Sequence, residues 1–190
     1  MESSKVLIDG DIVAYRSAAS LESEYFKDAV CSDLKLYKYK QDHHEMFVKG
    51  YKFWVAGTTK LERHLDKSMK YIIDKTVRSL DSGLYQVYLT GSDNFRYKVA
   101  KSFPYKETRK STPKPVDLPK ARAYLVKHFG AIISEGEEAD DLIAIEATRC
   151  GPTTIVASVD KDMLQIPCRH FNLTKGSWTT VSKLSGLKFF

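Results

Sequence analysis

The chain has 190 residues, of which 43% are hydrophobic and 28% are charged. That apolar fraction is too high for an intrinsically disordered protein, and the length suits a single domain with a buried core. The sequence has no run of about 20 apolar residues that could span a membrane, and its first residues lack the pattern of a signal peptide. Three widely spaced cysteines without a CxxC pair argue against a disulfide framework or a thiolate zinc site. We therefore expect a cytoplasmic domain with no membrane partner.

Short apolar runs alternate with amphipathic segments along the chain. Strands are predicted at 5–8, 86–90, 131–134 and 153–159, with two weaker strands at 169–174 and 178–181. Helices are predicted at 12–21, 58–82, 120–129 and 138–149. The intervening segment 22–56, rich in Tyr and Lys, is expected to be an insertion or a β-hairpin. This alternation predicts the α/β class, with a mostly parallel central sheet and helices on both faces.

The positive charge is concentrated in one segment. The whole chain carries +6, but residues 96–122 contain nine basic and two acidic side chains, a net charge of +7, so that the remaining 163 residues sum to −1. This distribution favours a polyanionic partner, although a solvated surface loop is the alternative. Four prolines exclude a long regular element before residue 120, and we expect a basic loop or clamp over 96–122. The candidate nucleic-acid contacts in it are Arg96, Lys98, Lys101, Lys110 and Lys114.

Acidic residues follow three of the predicted strands. Asp9 and Asp11 follow the first, the acidic segment 135–141 follows the third, and Asp160 and Asp162 follow the fourth. The carboxyl ends of parallel strands meet at one edge of a sheet, where ligands bind. Two like charges about 5 Å apart repel by roughly 3 kcal/mol at an effective dielectric constant near 20, so a cluster of six requires protons or cations to neutralise it. Oxygen ligands select Mg²⁺ or Mn²⁺ over zinc.

Each acidic group also has a purely structural interpretation. Asp9 and Asp11 could cap the helix that follows, the acids at the start of helix 138–149 would interact favourably with its dipole, and Asp160 with Asp162 could form an Asx turn. Their coincidence at three strand ends favours a metal site instead. Carboxylate-bound divalent ions beside basic residues are typical of phosphodiester hydrolysis, since the ion activates water and stabilises the leaving oxygen.

Four short motifs resemble those of the 5′-nuclease superfamily, in the same order along the chain. They are Ile8-Asp9-Gly10, the Y-K-E-T-R run at 105–109, the E-A-D-D run at 138–141 and the S-V-D-K-D run at 158–162. The chain is most similar to the bacteriophage 5′–3′ exonucleases and flap endonucleases, over about residues 5–173. The resemblance implies a single PIN-like nuclease domain over residues 1–190, acting in the host cytoplasm if it is phage-encoded.

The resemblance also implies roles for individual residues. The main metal site would consist of Asp9, Glu138 and Asp140, supported by Asp141, and a second ion would be bound by Asp160 and Asp162. Asp93 is the nearest candidate for a further family aspartate after the strand that ends at Leu89-Thr90-Gly91. Lys106 and Arg109 would contact the scissile phosphate, with the lysine stabilising the transition state electrostatically. The implied cofactors are two Mg²⁺ or Mn²⁺ ions.

The chain departs from the family pattern in two places. Only about 28 residues separate Arg109 from Glu138, which predicts a short basic clamp in place of a tall arch that threads a 5′ end. No element of the C-terminal helix–three-turn–helix module is present, and that module grips duplex DNA in the family. Three interpretations remain open: the chain is a fragment of a longer protein, it is a truncated form, or it is a minimal enzyme in which a protein partner replaces the module.

The sequence favours a metal-dependent nuclease that acts on DNA with a 5′ end or flap, or on RNA. Two alternatives remain open at this stage. One is a non-catalytic or partner-dependent nucleic-acid-binding module, and the other is a small PIN-type RNA endonuclease. The sequence alone does not distinguish exonuclease from endonuclease cleavage.

Overall fold

A computed structural model describes residues 5–29, 58–80, 83–93 and 114–182 of the chain. The strands are β1 (Val6–Asp9), β2 (Tyr85–Leu89), β3 (Ile132–Ile133), β4 (Ile155–Ser158), β5 (Arg169–Asn172) and β6 (Trp178–Thr180). The α-helices are α1 (Gly10–Ala29), α2 (Thr58–Thr76), α3 (Leu118–Phe129) and α4 (Ala139–Cys150). Two short 3₁₀ helices lie at Val77–Ser79 and Asp162–Gln165.

The strands form one six-stranded sheet in the order β3-β2-β1-β4-β5-β6. Every neighbouring pair is parallel except β5 and β6, which are antiparallel. The two innermost strands, β1 and β4, pair in register from Val6 opposite Ile155 to Ile8 opposite Ala157. The predicted fold class, a mostly parallel α/β sheet, is confirmed.

Successive side chains of a strand point to opposite faces of the sheet, so each buried strand contributes residues to two hydrophobic cores. Val6 and Ile8 of β1 belong to the larger core, which also takes buried residues from α1, α2 and α3. Leu7 points to the opposite face and packs with Ile143 and Ala147 of α4. Three helices therefore cover one face and α4 covers the other, which confirms the prediction of helices on both faces.

Some element boundaries differ from the predicted ones. Helix α1 continues to Ala29, eight residues beyond its predicted end and into the segment assigned to an insertion or hairpin; residues 30–57 lie outside the described part of the chain. Helix α2 ends at Thr76, whose hydroxyl donates to the carbonyl of Ile72 at 2.6 Å, and a 3₁₀ turn follows. Within the described ranges, no helix has the length and apolar character needed to cross a bilayer.

Candidate functional site

The carboxyl ends of β1, β2 and β4 meet at one edge of the sheet. Asp9 is the last residue of β1, Thr90 directly follows β2, and Ser158 is the last residue of β4. The parallel register brings these three ends side by side, because β1 pairs with both other strands. This edge is where the fold class places ligands.

Asp9 is the most deeply buried carboxylate at this edge, with 4% of its surface exposed. The hydroxyl of Ser158 donates to Oδ2 of Asp9 at 2.9 Å, and the backbone N–H of Ile12 donates to Oδ1 at 3.3 Å. Burial raises the pKa of Asp9 to about 6, although both hydrogen bonds lower it. The site therefore holds Asp9 in a fixed orientation at an electrostatic cost.

Gly10 explains why helix α1 can start immediately after Asp9. A Cβ atom on Gly10 would lie 2.7 Å from the carbonyl oxygen of Tyr88 and 2.7 Å from Cγ1 of Val87, so any larger residue would collide with β2. The Asp-Gly pair thus places a buried carboxylate beside a close contact between α1 and β2.

Asp11 has a different environment from Asp9, because a cation compensates its charge. Its carboxylate accepts hydrogen bonds from the backbone N–H of Thr90, at 2.9 Å, and from the guanidinium of Arg122, which also donates to the carbonyl of Thr90. Arg122 belongs to the basic segment defined from the sequence, but in the structure it joins α3 to α1 and β2. Asp11 and Arg122 therefore form a structural connection beneath the site.

The acidic segment after β3 returns to the centre of the sheet. β3 lies at the outer edge, but the N-terminus of α4 comes back over β2, where the N–H of Ala139 donates to Oγ1 of Thr90 at 3.1 Å. Ser134 fixes the loop: its hydroxyl accepts from the N–H of Gly91 at 3.0 Å and donates to the carbonyl of Glu137 at 2.7 Å. A Cβ on Gly91 would lie 2.1 Å from the Ser134 carbonyl oxygen, which only glycine avoids.

Asp141 contributes to the start of helix α4. Its carboxylate accepts a hydrogen bond from the backbone N–H of Glu138 at 3.1 Å, in the reciprocal arrangement of a capping box. One oxygen of Asp141 is therefore engaged in ordering the turn that carries Glu138 and Asp140. Glu138 itself is buried.

Asp140 is the electrostatic centre of the site. Its pKa is raised to about 7, first by burial and then by the negative charges of four other acidic residues: Asp9, Asp160, Glu138 and Asp11. Asp9 ends β1, Asp11 lies in the first turn of α1, Asp160 follows β4, and Glu138 is the N-cap of α4. The structure therefore brings together carboxylates that are up to 151 positions apart in the sequence.

Asp160 and Asp162 lie in the turn after β4, and both are exposed. The N–H of Asp162 donates to Oδ1 of Asp160 at 2.9 Å, which is an Asx turn, and the N–H of Asp160 donates to the hydroxyl of Ser158 at 3.1 Å. Asp160 also lines a cavity of about 210 Å³ together with the basic residues Lys161 and Lys175. A small anion beside the carboxylates would meet positive charge on this side.

The chemistry of the described carboxylates suits a divalent cation, but their arrangement in the structure is not that of a metal site. Their donors are oxygens, which suit Mg²⁺ or Mn²⁺, and the mutual repulsion at Asp140 is what a cation would relieve. However, in the described part of the chain no group of three or more His, Cys, Asp or Glu residues is arranged to hold a metal ion. Oxygens of Asp9 and Asp160 accept hydrogen bonds instead, so coordination would require side-chain rotation.

The remaining predicted site residues are either exposed or outside the described part of the chain. Asp93 is exposed, just beyond β2, and Lys114 is exposed at the start of the segment that leads into α3. The two predicted phosphate contacts, Lys106 and Arg109, lie outside the described residues, as do Arg96, Lys98, Lys101 and Lys110.

Three polar residues that form hydrogen bonds at this edge were not predicted as site residues. Thr90 bonds to Asp11 of α1 and Ala139 of α4, Ser134 bonds to Gly91 and Glu137, and Ser158 bonds to Asp9. The feature of the sequence that could have identified these residues is their position. Each one ends or follows an apolar strand, as the acidic residues do. A short polar residue at a strand end carries no charge and is therefore easily overlooked.

Comparison with known proteins yields a likeness of fold. No family model matches the chain, and no curated protein matches it in sequence. Among solved structures, the T5 D15 protein, co-crystallised with metal ions, is similar with a TM-score of 0.50 and 13% sequence identity. The match covers 93% of this chain and 57% of the T5 protein, so the chain spans little more than half of that protein's length. At this level of identity the likeness shows the fold alone, in agreement with the mostly parallel α/β sheet described above.

Proposed function

We propose that this protein is a divalent-metal-dependent nuclease that hydrolyses phosphodiester bonds of DNA near a 5′ end, in the manner of a 5′–3′ exonuclease or flap endonuclease. The observation that carries the proposal is the environment of Asp140. Burial, and after it the negative charges of four other carboxylates, raise its pKa to about 7. A protein gains nothing in stability from such an arrangement, so a cationic ligand is the simplest reason for it.

Asp9, Glu138 and Asp140 would hold the first ion, and Asp160 with Asp162 would contribute to a second. The bound ions would supply Lewis acids at the scissile phosphate. The protein holds the metal-binding side chains in place. Ser158 orients Asp9, and the hydrogen bond from Ala139 to Thr90 holds the start of α4 over the sheet. These supports come from strand ends and fix the backbone that carries the carboxylates, so that binding of the ions would require rotation of side chains only.

The basic residues would bind the substrate. The resemblance to the 5′-nuclease superfamily implies that Lys106 and Arg109 would contact the scissile phosphate. Lys106 would stabilise the negative charge that develops on it. Arg96, Lys98, Lys101, Lys110 and Lys114 would contact the phosphate backbone around that point. The net charge of +7 in this segment supports the assignment.

A second candidate is a nucleic-acid-binding module without catalytic activity. It is favoured by the hydrogen bonds that occupy oxygens of Asp9, Asp141 and Asp160, and by the finding that the described acidic residues are not grouped for metal coordination. A PIN-type RNA endonuclease would share the site and differ only in substrate.

One cleavage experiment separates these candidates. The protein is incubated with end-labelled 5′-flap DNA, single-stranded DNA and single-stranded RNA, each with Mg²⁺, Mn²⁺ or EDTA. We expect cleavage of the two DNA substrates near their 5′ ends with Mg²⁺ or Mn²⁺, and no cleavage in EDTA. Cleavage of RNA alone would identify the endonuclease alternative, and binding without cleavage of any substrate would identify the binding module.

A further inference from the structure

A second cavity, of about 580 Å³, lies between α1, α2 and the turn that joins β5 to β6. We call it the α1–α2 cleft. Its lining includes four basic residues, Arg16, His64, Lys67 and Lys175, together with several hydroxyl groups. Among the described residues that line it, none is acidic. The cleft is therefore a concentrated positive surface on a part of the chain that is otherwise close to neutral.

Arg16 is held in place at the wall of this cleft. Its guanidinium donates to the carbonyl of Leu173 at 2.8 Å and to Oγ1 of Thr174 at 3.0 Å, both through the same terminal nitrogen. An arginine has five N–H donors, so the others remain available to a ligand while the side chain keeps its orientation. Within the described part of the chain, no carboxylate forms an ion pair with Arg16, Lys67 or Lys175.

The cleft also presents an aromatic surface. Tyr71 of α2 lines it, and 47% of that residue is exposed. The ring lies beside that of Phe171, with centroids 6.4 Å apart, and Nζ of Lys75 lies 5.9 Å from its centroid. Gly176 leaves room for the hydroxyl of Tyr71, since a Cβ there would lie 2.9 Å from the oxygen. A supported, exposed ring beside cationic side chains is the usual means of binding an unpaired base next to its phosphate.

Lys175 connects this cleft with the carboxylate edge. It lines both the cleft and the 210 Å³ cavity that contains Asp160 and Ser158. On the other wall, Ile12 and Arg16 of the cleft lie on α1, whose first turn follows Asp9. With a rise of about 1.5 Å per residue, Arg16 is only about 10 Å along the helix axis from the start of α1. A single strand bound in the cleft would therefore lie close to the carboxylate edge.

We propose that the α1–α2 cleft binds a single-stranded segment of the nucleic-acid substrate, with phosphates at Arg16, Lys67 and Lys175 and a base stacked on Tyr71. This proposal rests on the proposed nuclease function and names a substrate contact that the strand-end carboxylates and the basic segment 96–122 do not provide. It places substrate on the α1 and α2 side of the sheet edge, beyond the reacting phosphate.

The test is a binding measurement that does not depend on cleavage. A fluorescein-labelled oligothymidylate of about 20 nucleotides is titrated with protein in EDTA, and anisotropy is followed at several salt concentrations. The double variant Lys67→Gln/Lys175→Gln should raise Kd at least about fivefold. It should also reduce the slope of log K against log salt by about 0.7 for each phosphate that a lysine no longer neutralises. Tyr71→Leu should weaken binding to a similar extent without changing that slope, since stacking releases no counterions.

Lys70→Gln is the matched control, because Lys70 is an exposed lysine on the same helix that does not line the cleft. It should leave both Kd and the salt slope within about twofold of wild type, as expected for a lysine that makes no phosphate contact. Thermal unfolding of each variant checks that the fold is retained, and Lys67→Gln alone provides the measurement if the double variant unfolds. Equal weakening by Lys67→Gln and Lys70→Gln would overturn the proposal, as would displacement of the strand by a polyglutamate peptide at equal charge concentration. If no binding at the cleft is found but the protein cleaves DNA with metal, the cleft proposal fails and the nuclease proposal stands. If binding at the cleft is found without metal-dependent cleavage, the nuclease proposal fails and the cleft proposal stands.

Discussion

The two ends of helix α4 carry acidic residues in opposite electrostatic environments. At the N-terminal end, Asp140 is surrounded by other carboxylates and its pKa rises to about 7. Nearer the C-terminal end, Glu146 accepts two hydrogen bonds of 2.9 Å from Arg149 and is paired with Lys5, and its pKa falls to about 2. The same helix thus holds one carboxylate that repels its neighbours and one that attracts them.

This contrast separates a ligand site from a structural ion pair. The partners of Glu146 are cations that the chain itself supplies, so its charge is neutralised in the folded protein. The neighbours of Asp140 that affect its pKa are all acidic. A repulsive cluster at a strand end requires protons or cations to compensate it, and we propose that a divalent cation does so here.

The largest expected effect is the loss of cleavage in Asp140→Asn. The substitution keeps the size of the side chain but removes a charged ligand, and we expect DNA cleavage to fall more than the roughly 10–100-fold that loss of an outer supporting group costs at a metal site. Glu146→Gln, the matched change on the same helix, should leave the cleavage rate within about twofold, as expected for a residue remote from the reaction. Initial rates on 5′-flap DNA with Mn²⁺ measure both. Comparable losses of cleavage rate in the two variants would show that Asp140 has no special role in cleavage.

A moderate effect is expected on stability in the absence of metal. Asp9 and Asp140 have folded-state pKa values of about 6 and 7, raised from 3.8. A raised carboxyl pKa gives stability that is fully present below the unfolded pKa and is lost as pH rises through the folded value. In EDTA, the Tm should therefore fall between pH 5 and pH 8.

Asp140→Asn should flatten this decline and raise the Tm at pH 8 by about 2–4 °C for each kcal/mol of repulsion removed. Differential scanning calorimetry in EDTA at both pH values provides the measurement. A wild-type Tm that rises from pH 5 to pH 8 to the same extent as in the variant would show that the cluster is not repulsive.

The smallest effect is expected for Glu146→Gln on stability. Because the pKa of Glu146 is lowered to about 2, its ion pairs contribute above the unfolded pKa near 4.5 and are lost as pH falls toward 2. A partly exposed pair of this kind contributes at most about 1 kcal/mol, which corresponds to a Tm lower by about 2–4 °C at pH 7. The difference from wild type should shrink at pH 3. A difference that grows on acidification would contradict the assignment of the ion pair.

Much of the sheet could be predicted from the sequence, because the buried strands are short apolar runs that end in polar residues. The strand predicted at 153–159 is observed as Ile155–Ser158, and the helix predicted at 138–149 is Ala139–Cys150. The extension of α1 to Ala29 was not predicted, since residues 22–29 carry aromatic and charged side chains without a clear helical period.

The site was harder to predict than the fold, because it depends on which strands are neighbours. The sequence indicates acids at three strand ends, but not that β3 lies at the outer edge and that α4 must return across β2. It also gives no sign that Arg122 pairs with Asp11 within the fold. Such pairings join residues far apart in the chain and depend on tertiary packing.

The most direct test of the central claim is a calorimetric titration of Mn²⁺ into the metal-free protein at pH 7.5, with wild type and Asp140→Asn measured side by side. The account predicts saturable binding to wild type, accompanied by proton release from the carboxyl groups with raised pKa values, and affinity at least about tenfold weaker in the variant. No saturable binding to wild type, or equal affinity in both proteins, would contradict the claim that these strand-end carboxylates form a divalent-cation site.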